Sequence, residues 1–325
     1  LFEKKGWSGA TTIQDAPISF GSGRNRWSPR NYDGKFRGSV TVERAIIGSL
    51  NVPAVRALSA VGAKVVTETV RSMGITTPYL PANPTMALGS ASLTPLEMAA
   101  AFSVFGNGGY RIVPTLVREI RDTDGNVLFK AEEEKKRVLS EYAAYGIRDI
   151  LIKAVSSGTG RAARIDGFQV FGKTGTTNDF RDAWFVGGIP GFCAAVYVGD
   201  DDRKPLGKGA TGGKIAAPIW QDFMEFTAVA LSAPTAFPKN TKKTPPVPRE
   251  RSAQETTDPV KESETASPAP PKETPAVAPP PAEKKRPRTV QPALPPTVRA
   301  APDAMLIETE TEKKMRELLQ KYNIE

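Results

Sequence analysis

Gly167-Phe168-Gln169-Val170-Phe171-Gly172-Lys173-Thr174-Gly175-Thr176 admits two incompatible structures. By letter it completes a phosphate-loop pattern: a glycine, four residues, then Gly-Lys-Thr. Such a loop needs small central residues whose amides turn inward, and a helix that starts at the Lys-Thr with its dipole toward the anion. The central residues here are Phe168, Gln169, Val170 and Phe171, which alternate as a strand does, and Gly175-Thr176-Thr177-Asn178-Asp179 is a turn former. Nucleotide binding therefore lacks the context its chemistry requires. The other structure is a strand over 168–175. Alternation then sends Lys173 and Gly175 to one face and Thr174 and Thr176 to the other. Twist at a strand edge still lets the lysine and a hydroxyl flank one carboxylate. Gly175 permits close approach of a ligand backbone, and the Thr176 N–H can serve as one oxyanion donor.

Around this strand, residues 183–187 and 192–199 read as two more, and their short connections favour antiparallel neighbours. Helical patterns cover 42–60, 63–73 (closed at Gly74), 96–105, 140–155 and 215–230. Thr94-Pro95-Leu96-Glu97 carries the hydroxyl cap, N1 proline and N3 glutamate of a helix start. Residues 115–130 suggest a hairpin about Asp124-Gly125. Helices before and after an antiparallel sheet make the fold class α+β.

In this reading the folded domain spans 1–232. Residues 233–303 hold 18 of the chain's 29 prolines and form a disordered linker, because such a composition cannot bury enough apolar surface to offset its ordering entropy. A pattern returns over 304–325, where Met315, Leu318, Leu319 and Tyr322 make one helical stripe, either a marginal terminal helix or a docking helix. The tail depresses the hydrophobic content to 39%, below the globular norm.

The 325 residues carry a net charge of +9 and no histidine. Without histidine, Ser-His-Asp and Cys-His catalysis are excluded and a zinc site is disfavoured; no metal or cofactor is expected. Proton transfer falls to lysine, carboxylates or a serine relay. The basic residues are scattered and carry no recognition motif, which argues against nucleic acid and leaves attraction to an anionic surface. The lone Cys193 permits no internal disulfide and reads as a buried strand residue. Apolar stretches such as 192–198 are too short to span a bilayer. A chain that starts at Leu1 reads as an internal fragment or a processed product.

Ser49-Leu50-Asn51 is a second candidate. An S-x-N triplet is expected about once by chance in this length, but Gly48 and Pro53 interrupt the helical pattern around it, so the polar pair can point into a cleft. The ordinary alternative is that Ser49 or Asn51 caps the following helix. Trp184 and Phe185 read as core, although they could stack on a substrate. Asp179, Arg181 and Asp182 read as an ion-pair latch at the strand end. Arg161 and Arg164 read as a guide for an anionic peptide or as a solvated face. Asp200-Asp201-Asp202 reads as an exposed turn.

Several segments together carry a family resemblance: Asp15-Ala-Pro17, Asn31-Tyr-Asp-Gly-Lys35, Ser49-Leu-Asn51, Ala87-Leu-Gly89, residues 93–99, Asn107-Gly-Gly-Tyr110, Gly158-Thr-Gly160, residues 173–186 and residues 211–220. In this order, over residues 1 to about 230, the chain resembles the transpeptidase domain of the bifunctional class A penicillin-binding proteins. The resemblance implies a penicillin-binding, serine β-lactamase-like fold that cross-links peptidoglycan stem peptides ending in D-Ala-D-Ala and binds β-lactams. It implies that Ser49 relays a proton and that Asn51 orients the substrate amide and a general-base lysine. It further implies that Lys173 supplies positive potential, with Thr174, Gly175 and Thr176 forming the carboxylate wall. The family nucleophile belongs to an S-x-x-K motif, and no serine here has a lysine three positions on. The pattern puts that serine upstream of Leu1, so the chain alone is expected to be inactive. A glycosyltransferase domain and a membrane anchor are expected further upstream, with the domain on the periplasmic side, and that setting makes an envelope protein the expected partner of the C-terminal tail. A β-lactamase or β-lactam sensor of the same fold, and a non-catalytic interaction module, are the alternatives.

Overall fold

A computed structural model describes residues 1–132, 134–241 and 245. The helices are α1 (Phe2–Lys5), α2 (Val42–Ile47), α3 (Asn51–Val61), α4 (Ala63–Ser72), α5 (Pro95–Gly106), α6 (Glu141–Ser156) and α7 (Ala216–Ala230). The strands are β1 (Thr12–Asp15), β2 (Gly38–Thr41), β3 (Tyr110–Ile112), β4 (Glu119–Arg121), β5 (Val127–Lys130), β6 (Lys135–Arg137), β7 (Phe171–Thr176), β8 (Asp182–Ile189) and β9 (Phe192–Gly199). β7, β8 and β9 form one antiparallel sheet in chain order, so among the described residues β7 is an edge strand. The α+β expectation holds. The strand begins at Phe171 rather than 168, because the Gln169 main-chain N–H bonds elsewhere, to Thr235 O at 2.8 Å.

Helices pack on both faces of the sheet. Phe185 and Gly172 face α7, where Phe185 packs on Trp220 with ring centroids 4.9 Å apart and both side chains are fully buried. Val155, Ile189 and Met224 complete this core. The Trp220 Nε1–H donates to Ala194 O at 3.1 Å, so the indole is buried without an orphaned donor. On the other face Phe171 packs with Leu151 of α6 and with Phe102 and Phe105 of α5. Phe185 is core as expected. Trp184 instead lies against Tyr197, with centroids 4.8 Å apart.

Two helix starts set the frame. Thr94 and Glu97 form the expected capping box, and the second Glu97 oxygen also accepts from the Thr76 N–H, the Thr76 hydroxyl and the Thr77 N–H. Those bonds hold the Glu97 carboxyl down at about 2. Ser140 caps α6, and its N–H and hydroxyl both donate to Glu3, which ties α1 to the start of α6.

The region expected to be a helix over 42–60 is two helices. Gly48, Ser49 and Leu50 break it; Leu50 is buried while Ser49 takes φ +51°, a left-handed conformation that side chains other than Gly, Asn and Asp seldom adopt. The packed unit also continues past 232. Ala233 and Phe237 are buried, the Phe237 N–H donates to Gln169 Oε1 at 2.9 Å, and Arg148 donates to Pro238 O at 3.0 Å. Single apolar anchors in a proline-rich stretch disappear when composition is averaged over 233–303. The rest of that expected linker, apart from residues up to 241 and Pro245, lies outside the described residues, as does the expected helix over 304–325.

Candidate active site

Lys173 is the centre of the site. It occupies the middle of β7 on the face turned toward α2 and α3, and its Nζ donates to Ser49 Oγ at 2.8 Å and to Thr174 O at 3.2 Å. The side chain is half-buried, and desolvation brings its pKa down to about 8. The left-handed turn at Ser49 aims the hydroxyl at the ammonium. Ser49 and Lys173, whose joint role the family resemblance implied, are thus brought within hydrogen-bond distance by the fold.

Asn51, the first residue of α3, is held differently. Its Nδ2 donates to Arg30 O at 2.9 Å. The next amide, Val52 N–H, donates to Asn31 Oδ1 at 3.2 Å. Asn31 in turn donates to both Asp15 oxygens, at 2.8 and 2.9 Å, and to Lys35 O at 2.7 Å. Asp15 also accepts from the Arg37 N–H at 3.0 Å and is fully buried. A carboxylate in that position is tolerated because each oxygen is hydrogen-bonded. This buried bracket links β1, the 31–37 loop and the start of α3, and so fixes where the Ser49–Asn51 segment sits.

The hydroxyls of β7 lie on the opposite face, as alternation requires. Thr174 Oγ1 is 2.7 Å from Thr159 Oγ1. Thr176 Oγ1 accepts from the Gly212 N–H at 3.0 Å. A Cβ on Gly212 would fall 2.2 Å from Trp184 O and 2.3 Å from Gly175 O, so only glycine lets that loop lie on the sheet. The Thr177 N–H donates to Asp182 O at 3.1 Å. An antiparallel ladder repeats every second residue, so the Gly175 N–H faces β8 and the Thr176 N–H turns to the open edge. An oxyanion donor is available there.

The turn after β7 departs from the expected ion-pair latch. Thr177 Oγ1 donates to Asp182 Oδ2 at 2.9 Å and the Tyr197 hydroxyl donates to Asp182 Oδ1 at 2.9 Å, while Arg181 donates to Arg203 O at 3.0 Å. Two hydroxyls satisfy the carboxylate where an arginine was expected. Asp200 is an exposed turn, its Oδ1 accepting the N–H groups of Asp202 and Lys204. Burial pushes the Cys193 thiol up to about 12, which removes it as a nucleophile at neutral pH. Thr159, Gly212 and the Asp15–Asn31 bracket were not singled out individually in the sequence. Their only signal was membership of the segments that carry the family resemblance.

The family model described as penicillin binding protein transpeptidase domain matches residues 1–225. Penicillin-binding protein 1A of Neisseria gonorrhoeae is 39% identical over 231 residues, covering 68% of this chain and 29% of that protein. Penicillin-binding protein 1A of Aquifex aeolicus is 40% identical over 201 residues, covering 61% of this chain and 27% of its own length. Among solved structures, penicillin-binding protein 1A from Haemophilus influenzae aligns with a TM-score of 0.66 at 30% identity, covering 72% of this chain and 41% of that one. The chain thus spans less than a third of the length of these curated relatives.

Proposed function

This chain belongs to the penicillin-binding protein transpeptidase domain family, and we propose that it is the acyl-transfer domain of a peptidoglycan synthase. The contact that carries the reading is Lys173 Nζ to Ser49 Oγ at 2.8 Å, with the lysine at about 8. An ammonium poised near neutral pH can exchange a proton through an adjacent hydroxyl, which is what a serine acyl transfer without histidine needs.

In the proposed reaction a serine attacks the penultimate D-Ala carbonyl of a D-Ala-D-Ala stem peptide, and the terminal D-alanine leaves. An amine of a second stem peptide then takes the acyl group. A β-lactam presents the same carbonyl in a ring and leaves the acyl-enzyme trapped. Ser49 relays the proton to the leaving nitrogen. Lys173 holds that relay at positive potential and attracts the substrate carboxylate. Thr174 and Thr176 hydrogen-bond the carboxylate, Gly175 lets the peptide approach, and the Thr176 N–H polarises the acyl oxygen. Asn51 orients the substrate amide and the base lysine once ligand displaces its bond to Arg30 O.

The attacking serine is assigned to an S-x-x-K segment of the parent protein, since no serine among the 325 residues has that context. The parent is proposed to carry a glycosyltransferase domain and a membrane anchor, with this domain on the periplasmic side. Among the described residues no helix is long and apolar enough to cross a membrane. Fluorescent penicillin tests the reading: the parent takes a stoichiometric covalent label and the 325-residue chain takes none. An unlabelled parent would overturn the function, and a labelled chain would overturn the assignment of the nucleophile.

A further inference from the structure

Thr159 has no role in the reaction above, yet its hydroxyl touches that of Thr174. Its backbone is clamped from several sides. The Gly158 and Gly160 N–H groups both donate to Ala154 O at 3.1 Å. A Cβ on Gly158 would fall 2.6 Å from Ile47 O, and one on Gly213 would fall 2.6 Å from Thr159 O. The turn is therefore wedged between the end of α2, which leads into Ser49, and the loop that bonds Thr176. The residue itself remains exposed. The exposed Thr159 hydroxyl is thus carried on a turn whose backbone is fixed by its neighbours.

Counting protons gives that hydroxyl a direction. Each threonine hydroxyl has one proton to donate. The Thr176 oxygen already accepts from the Gly212 N–H, which leaves its proton for the cleft. For Thr174 to donate to the same anion, its proton must also point into the cleft. The proton in the 2.7 Å contact must then come from Thr159. We propose that Thr159 is a positioning residue for carboxylate-bearing acyl donors. It donates to Thr174 and so turns the Thr174 O–H toward the anion, and the two bonds in series strengthen each other. This inference rests on the acyl-transfer reading.

The test is the second-order acylation rate constant of the parent protein with benzylpenicillin and with its neutral methyl ester. Thr159→Val, which keeps the shape and loses the donor, is expected to slow acylation by the carboxylate about 5- to 10-fold, the scale of one hydrogen bond. The ester rate is expected to stay unchanged, and Thr159→Ser is expected to restore the carboxylate rate. Equal loss for carboxylate and ester would mean a structural role and overturn the inference, as would an unchanged carboxylate rate in Thr159→Val. A wild-type parent that neither compound acylates would overturn the acyl-transfer reading itself, and the inference with it.

Discussion

Replacing Lys173 with methionine is expected to stabilise the fold at neutral pH while removing the proposed proton relay. Desolvation takes the ammonium from 10.5 to about 8. At about 1.4 kcal/mol per unit, that fall sets a ceiling of about 3 kcal/mol on the penalty carried by the folded state. The side chain is only half-buried and has two oxygen acceptors, so water access reduces the expected gain to about 1–2 kcal/mol. The sign follows from linkage. The folded lysine binds its proton more weakly than the unfolded one, so between the two pKa values the unfolded state holds more protons and stability rises with pH. Below about 8 the penalty is fully present; above 10.5 it is gone. Urea unfolding of wild type and Lys173→Met, stepped across this range, reads the difference directly. The gap is expected to be widest near neutral pH and to shrink to a fixed packing offset at the alkaline end. A gap that stays constant across the range would show that the ammonium is not desolvated, and the poised relay would lose its basis.

Glu97→Gln is expected to cost about 1 kcal/mol at neutral pH, the value of a helix cap. Because bonds from Thr94 and Thr76–Thr77 hold the carboxyl at about 2 against an ordinary 4.5, its contribution is present above 4.5 and is lost as pH falls toward 2. Acid unfolding followed by circular dichroism should show that limb flattened in the variant. Gly172→Ala places a methyl 2.4 Å from Phe185 Cζ and 3.0 Å from Val186 O. Phe185 is pinned against Trp220, so overpacking of about 1–3 kcal/mol is expected as a lower urea midpoint; an unchanged midpoint would mean the ring can swing away.

The elements with strong local signals were legible. The capping box at Thr94, the amphipathic α6 and the three strands of the sheet each announce themselves within a few residues. β1 and β2 were missed because each is four residues long and its partner lies beyond an irregular loop, so neither has a hairpin signal. The pairing of Lys173 with Ser49 came from motifs, but the left-handed turn that makes it work did not, since serine has no general preference for that conformation. Thr159 escaped notice because a threonine between glycines reads as a turn, and only the meeting of α6's end with β7 gives its hydroxyl a partner. The bracket of Asp15 and Asn31 was hidden for the same reason: burial of a carboxylate is a property of the assembled chain.

The contact between Ser49 and Lys173 joins positions 124 residues apart. A ribosome adding about 5–20 residues per second delivers the lysine about 6–25 s after the serine. During that interval α2, α3 and the buried bracket are available to form, while the strand that completes the site does not yet exist. Contacts of such long range are also the slow ones in folding. A product truncated before Lys173 can therefore own six of the seven described α-helices and still lack the strand of the candidate site. Assembly of the candidate site is a late step in the life of the nascent chain, not one that advances in proportion to its length.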